Sequence, residues 1–130
     1  MECLEYLKLK VMDNKEFGNQ LEKRTKLFAL SIIKLSVSLP NTPESRVIKN
    51  QITKSGTSVG ANYREANRSR SKADFKNKIK ISESEASETV YWLELIEEMN
   101  WVAYDKLKSI LVEANEILAI FTSISNKLKS

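Results

Sequence analysis

Three features of this 130-residue chain predict an all-α fold, an up-down-up-down antiparallel four-helix bundle. Glycine and proline are scarce, three and two residues, which suits long helices and not the many tight turns of an all-β domain. Four segments repeat apolar residues at three- and four-residue steps, the period of a single helix face. The links between those segments are short, so consecutive helices become antiparallel neighbours.

The first helix is expected from about Phe17 to Leu39, where Leu21, Phe28, Ile32, Leu35 and Leu39 fall on one side. It runs into LPNTPES. There Pro40 and Pro43 interrupt the helix, Thr42 is positioned to cap the next one, and Pro43 suits its first turn. Residues 1–16 read as an N-terminal extension, and 17–130 as one bundle domain.

The second segment carries SGTSVGAN, Ser55 to Asn62, whose small residues admit two readings: a phosphate-cradling loop or a helix-packing seam. Periodicity decides. Ile48, Ile52, Gly56, Val59, Tyr63 and Ala66 hold one phase across the stretch, about five turns at 3.6 residues each. Neither GxxxxGK[ST] nor GxGxxG occurs, the patterns that aim backbone N–H groups at phosphate. One continuous helix to about Arg68 is therefore predicted. Each internal glycine costs it about 1 kcal/mol relative to alanine. Close approach by a neighbouring helix is the expected return, with Ser55, Gly56, Val59, Gly60 and Ala66 forming the seam and Asn62 and Glu65 acting as polar locks.

The third helix is predicted to start near Ser71, with Asp74 in capping-box-like spacing. Phe75, Ile79, Ser82, Ala86, Thr89, Leu93 and Ile96 then alternate steps of four and three. A second stripe, Ile81, Trp92 and Leu95, lies off that face. It reads either as an oligomer interface or as the flank of a broad core. The fourth helix follows the link MNWVAYD and runs from about Asp105 to Leu128 through Leu107, Leu111, Ala114, Leu118, Phe121 and Ile124.

The chemistry available is narrow. The chain has no histidine, which removes His-based triads, HExxH zinc sites and Glu-x-x-His di-iron sets. Cys3 is the only cysteine, so no internal disulfide forms and a reducing compartment is favoured. The hydroxyls of Ser55, Thr57 and Ser58 have no partner visible in the sequence to activate them. The glutamates between Glu83 and Glu98 scatter around a helix and do not converge on a cation. No enzyme activity, cofactor or metal is predicted. The most apolar run, Leu27 to Val37, is broken by Lys34 and too short to span a bilayer, and a cytoplasmic location is expected.

Charge is distributed unevenly. The net charge is +4, yet ten basic residues against two acidic ones lie between Arg46 and Lys80, whereas Glu83 to Glu98 holds six glutamates and no base. Arg46, Arg64 and Arg68 share a face of the second helix, Lys54 flanks them, and Arg70, Lys72 and Lys76 extend the basic character into the third. Such a strip is able to contact phosphates. The competing readings are solvated surface, or a basic half that pairs with the acidic half of another subunit or a partner protein.

The segment SGTSVGANYREANRSRSKADFKNKIKISESEASETVYWLELI resembles the signature region of a bacterial four-helix-bundle family, that of intervening-sequence proteins of large-subunit ribosomal RNA genes. Ser55 to Asn62, Glu65-Ala66, Ser71-Lys72, Asp74-Phe75, Glu88 and Tyr91-Trp92-Leu93 carry the likeness. The resemblance implies a bundle that assembles as a homopentamer and has no established enzymatic activity. A related branch, the accessory proteins of diversity-generating retroelements, forms basic pentameric barrels that engage nucleic acid and a reverse transcriptase. From this follow the expected partners: further copies of the chain, RNA or DNA, and a partner protein such as a reverse transcriptase.

Overall fold

A computed structural model describes residues 14–129 as four helices, α1 (Asn14–Ser38), α2 (Pro43–Asn67), α3 (Lys72–Met99) and α4 (Tyr104–Lys127). No strand occurs among the described residues, and the architecture is an all-α bundle. Helix α1 begins at Asn14, inside the expected extension, the rest of which lies outside the described residues. Helix α2 passes through SGTSVGAN without a break.

Local chemistry explains the ends. Thr42 Oγ1 accepts a hydrogen bond from the Ser45 N–H at 3.1 Å, and Pro43 occupies the first helical position, where no N–H is needed. Ser71 Oγ does the same for the Asp74 N–H at 3.1 Å. At the end of α3, Asn100 adopts the left-handed conformation, with φ 57°, which its short side chain tolerates better than a branched one would. Helix α4 starts after Ala103 with no side-chain cap.

The four apolar faces meet in one core. Leu21, Phe28, Ile32, Leu35 and Leu39 come from α1 and the turn after it, and Ile52, Val59, Tyr63 and Ala66 from α2. Helix α3 adds Ile79, Ala86, Leu93 and Ile96; α4 adds Leu107, Ile110, Ala114, Ile117, Ile120 and Phe121. Tyr63 packs edge-on to Phe121 with ring centroids 5.4 Å apart. Cross-helix contacts fix the antiparallel register: Gly56 faces Ile32, Gly60 faces Thr25, and Gly18 faces Asn67. Between α2 and α3, the Ser82 hydroxyl donates to the Val59 carbonyl at 2.9 Å, and the Ser55 and Thr89 hydroxyls are hydrogen-bonded at 2.9 Å.

The seam on α2 is thus divided between two neighbours. Its glycines lie against α1, and its serine and valine positions lie against α3. A Cβ on Gly56 would stand 2.8 Å from Ile32 Cγ2, and one on Gly60 would stand 2.9 Å from Thr25 Oγ1. Among the expected polar locks, Glu65 Oε1 pairs with Lys78 Nζ of α3 at 2.8 Å. Asn62 instead donates within its own helix, to the Ser58 carbonyl at 2.9 Å.

Candidate nucleic-acid interface

The turn joining α2 to α3 gathers the basic residues. Its geometry follows from the sequence: α2 ends at Asn67, Ser69 Oγ donates back to the Ala66 carbonyl at 2.6 Å, and Ser71 opens α3. Arg68 and Arg70 are exposed on this turn, Lys72 begins the next helix, and Lys76 lies one turn further along. The end of α4 reaches the same place, so that Arg70, Lys72, Lys76 and Lys127 line one shallow depression. Arg64, Arg68, Arg70 and Lys78 line a second, beside Glu65 and Asp74.

The remaining basic residues of the expected strip stand apart from this cluster. Arg46 is 18 positions before Arg64, about 27 Å along a helix rising 1.5 Å per residue. It sits at the opposite end of the bundle, where Nη1 donates to Asn41 Oδ1 at 3.2 Å. Lys54 is exposed between the two. Helical phase alone put these residues on one face, and helix length separates them.

Not every base in the cluster is equally available. Arg64 Nε lies 3.5 Å from Glu22 Oε1 of α1, and the other oxygen of that carboxylate accepts from Asn67 Nδ2 at 2.8 Å. Lys78 is held by Glu65, whose hydrogen bond and charge raise the lysine pKa above its ordinary value. Arg68 Nη1 donates to the Arg64 carbonyl at 3.3 Å, leaving its other donors facing outward. Arg68, Arg70 and Lys72 are accordingly the bases best placed to meet an incoming polyanion.

The expected interface stripe is half-buried in the single chain. Ile81, Trp92 and Leu95 are each partly covered, Trp92 packs against the core, and its indole N–H donates to Glu88 Oε2 at 3.0 Å. Sequence reasoning missed a different apolar surface, the outer side of α1. Leu27, Leu30, Ile33 and Val37 are exposed there, Val37 at 79%. Their spacing of three, three and four in the sequence is the signal for this surface.

It also missed the contact between α1 and α4. Arg24 reaches across with Nε 2.8 Å from Glu113 Oε2 and Nη2 2.7 Å from Glu113 Oε1, while Nη2 also lies 2.7 Å from the buried Glu116. The i, i+3 spacing of the two glutamates was the available signal. Among the described residues, no cluster of three or more acidic, His or Cys side chains is arranged to hold a metal, and no helix is long and apolar enough to cross a membrane.

The fold and its charged end define a class: an antiparallel four-helix bundle with a basic α2–α3 turn. The sequence profile described as 23S rRNA-intervening sequence protein matches residues 18–123, and the chain belongs to that family. A similar solved structure is a protein of unknown function from the S23 ribosomal protein family of Bacteroides thetaiotaomicron. It is 38% identical with a TM-score of 0.76, over 84% of this chain and 97% of that one. No curated protein matches the chain.

Proposed function

We propose that this protein is a non-enzymatic, homo-oligomeric bundle that binds RNA or DNA through the basic end of each subunit. One observation carries the reading: Arg68, Arg70 and Lys72 lie together on an exposed turn, with Lys76 and Lys127 beside them. A cluster of this kind contacts phosphate oxygens and confers affinity without reading bases. Repetition of the end by symmetry in an assembly would widen the basic surface while adding nothing to the chain. The family's description, 23S rRNA-intervening sequence protein, is compatible with a nucleic-acid partner.

Fluorescence anisotropy of labelled single-stranded RNA and duplex DNA across a salt series tests it. Log affinity should fall linearly with log salt, with a slope of about 0.7 to 0.9 per phosphate neutralised. Replacing Arg68, Arg70 and Lys72 together by Glu should reduce affinity more than tenfold and flatten that slope. Replacing Arg46 and Lys54 by Glu should leave most of the binding. If the wild type binds neither ligand at low salt, the basic end is solvated surface.

A second reading draws on the ion pairs. Glu65–Lys78 and Glu22–Arg64 already join helices within the subunit. A scaffold whose basic and acidic halves pair between subunits, or with a partner protein, uses the same chemistry between chains. Unimpaired assembly at low salt, together with no nucleic-acid binding, would favour it.

A further inference from the structure

Among the exposed apolar side chains, two groups lie on helices whose nearby charges are opposite. On α1, Leu27, Leu30, Ile33 and Val37 are exposed on the side turned away from the core. From Lys23 to Ser38 this helix has four bases and no acid, and one of the four, Arg24, is turned inward to α4. Lys23, Lys26 and Lys34 remain exposed around the apolar stripe. On α3, exposed Tyr91 and Met99 lie beside half-buried Trp92 and Leu95, and half-buried Ile81 continues the stripe three turns earlier. Along α3 from Glu83 to Glu98 there are six glutamates and no base, and the depression beside Tyr91 is lined by Glu83 and Glu88 with Lys80 at its edge.

Four exposed large aliphatic residues within eleven positions make a larger apolar stripe than an isolated soluble helix needs. The lysines beside it argue against self-pairing, because a second α1 stripe would bring like charges together. The same holds for two glutamate-edged α3 faces. Each stripe has its complement on the other helix, and in an antiparallel four-helix bundle α1 and α3 stand diagonally, too far apart to meet within one subunit.

We propose that α1 of one subunit docks its lysine-edged apolar stripe, Leu27 to Val37, on the glutamate-edged face of α3 around Trp92, Leu95 and Met99 of a second copy. The proposal rests on the homo-oligomeric reading above and gives it a specific, head-to-tail interface. Such a contact uses two different patches of each chain, so every subunit offers one of each and assembly continues until the geometry closes it.

Complementation of broken faces provides the test, read by sedimentation velocity of the full chain at micromolar concentration. Leu30→Glu with Val37→Glu disables the α1 stripe; Leu95→Glu with Met99→Glu disables the α3 face. Each double variant alone should sediment as a monomer with unchanged helix content by circular dichroism. Mixed in equal amounts, they should form a one-to-one dimer and nothing larger, since each contributes its one intact face. If the α3 variant stays assembled by itself, the interface is α1 on α1 and the proposal falls. If the α1 variant stays assembled, it is likewise overturned.

Leu95 is half-buried, so a second pair guards against misfolding. Glu94→Lys with Glu98→Lys changes only exposed residues and should weaken assembly at least tenfold, with recovery when mixed with Lys26→Glu and Lys34→Glu. Absence of that recovery would remove the charge complementarity on which the pairing rests. A monomeric wild type would sink the homo-oligomeric reading itself, an outcome distinct from a wrong choice of faces.

Discussion

The two flanks of α1 are held by opposite means. On the α2 side, contact depends on atoms that are missing: Gly56 and Gly60 let Ile32 and Thr25 come so close that a single methyl would not fit. On the α4 side, where the two helices touch least, contact depends on atoms that are present, the Arg24 guanidinium bonded to Glu113 and Glu116. The close-packed flank is insensitive to salt and intolerant of added volume. The charged flank should instead be weakened when one partner is removed.

The largest effect should come from filling the glycine seam. Gly56→Leu must displace Ile32, a β-branched core residue with little rotamer freedom, and should destabilise by about 3 kcal/mol despite leucine's better helix propensity. Gly18→Ala supplies the contrast, because its Cβ would meet Asn67 at an ordinary 3.4 Å. That change should raise stability by up to about 1 kcal/mol, the helix-propensity gain alone. Urea unfolding of both variants checks the difference in sign.

The charged flank should respond less. Arg24→Met leaves Glu116, only 8% exposed, without its guanidinium. Loss of one partner of a fully buried pair costs about 3–5 kcal/mol, and the partial exposure of Arg24 and Glu113 brings the expectation down to about 2. Adding Glu116→Gln should recover part of the loss, since the uncompensated charge is then gone. A double-mutant cycle measured by urea unfolding reads the coupling, and strict additivity of the two changes would deny the clamp its role.

The smallest effect lies at Tyr63, where the α1–α2 flank meets the core. Burial raises its phenol pKa above the ordinary 10.0, a hydrogen bond with Asn67 pulls the other way, and the charge of Glu22 adds to the rise. A raised folded-state value means that the native protein holds this proton more tightly than the unfolded chain does. The corresponding stability is complete below about pH 10 and is lost as pH climbs through the higher folded value. Tyr63→Phe should cost about 0.5–1.5 kcal/mol at neutral pH, the worth of one hydrogen bond. Its disadvantage relative to wild type should shrink above pH 10 in thermal unfolding. A constant gap across that range would remove the linkage.

Much of this molecule was legible from local pattern. The buried face of α1 and most of those of α2 and α3 follow the expected three- and four-residue steps, because a helix exposes its period directly in the chain. On α4 the buried face is turned toward Ile110, Ile117 and Ile120, and the expected Leu111, Leu118 and Ile124 are half-buried at its edge. Thr42, Pro43 and Ser71 marked helix starts through chemistry that acts within three residues. The glycines announced a close approach because nothing else offsets their cost inside a helix. What they approach was not legible: helical phase gives a direction around one axis, and it takes the placed neighbour to show that Gly56 and Gly60 face α1 while Ser55 and Val59 face α3.

The candidate site divides in the same way. The sequence by itself determined that Arg46, Arg64 and Arg68 share a helix face, and that bases and glutamates occupy separate stretches. Only the tertiary structure decided that Lys127 joins Arg70 and Lys72 at one end of the bundle, with Arg46 at the other. It alone tied Arg64 to Glu22 and left Leu30 and Val37 in solvent. The physical reason is range. Periodicity and capping are properties of neighbours along the chain, whereas ion pairs and uncovered surface depend on which helices stand side by side, and residues 89 and 92 positions apart, as in the Arg24 clamp, have no local signature.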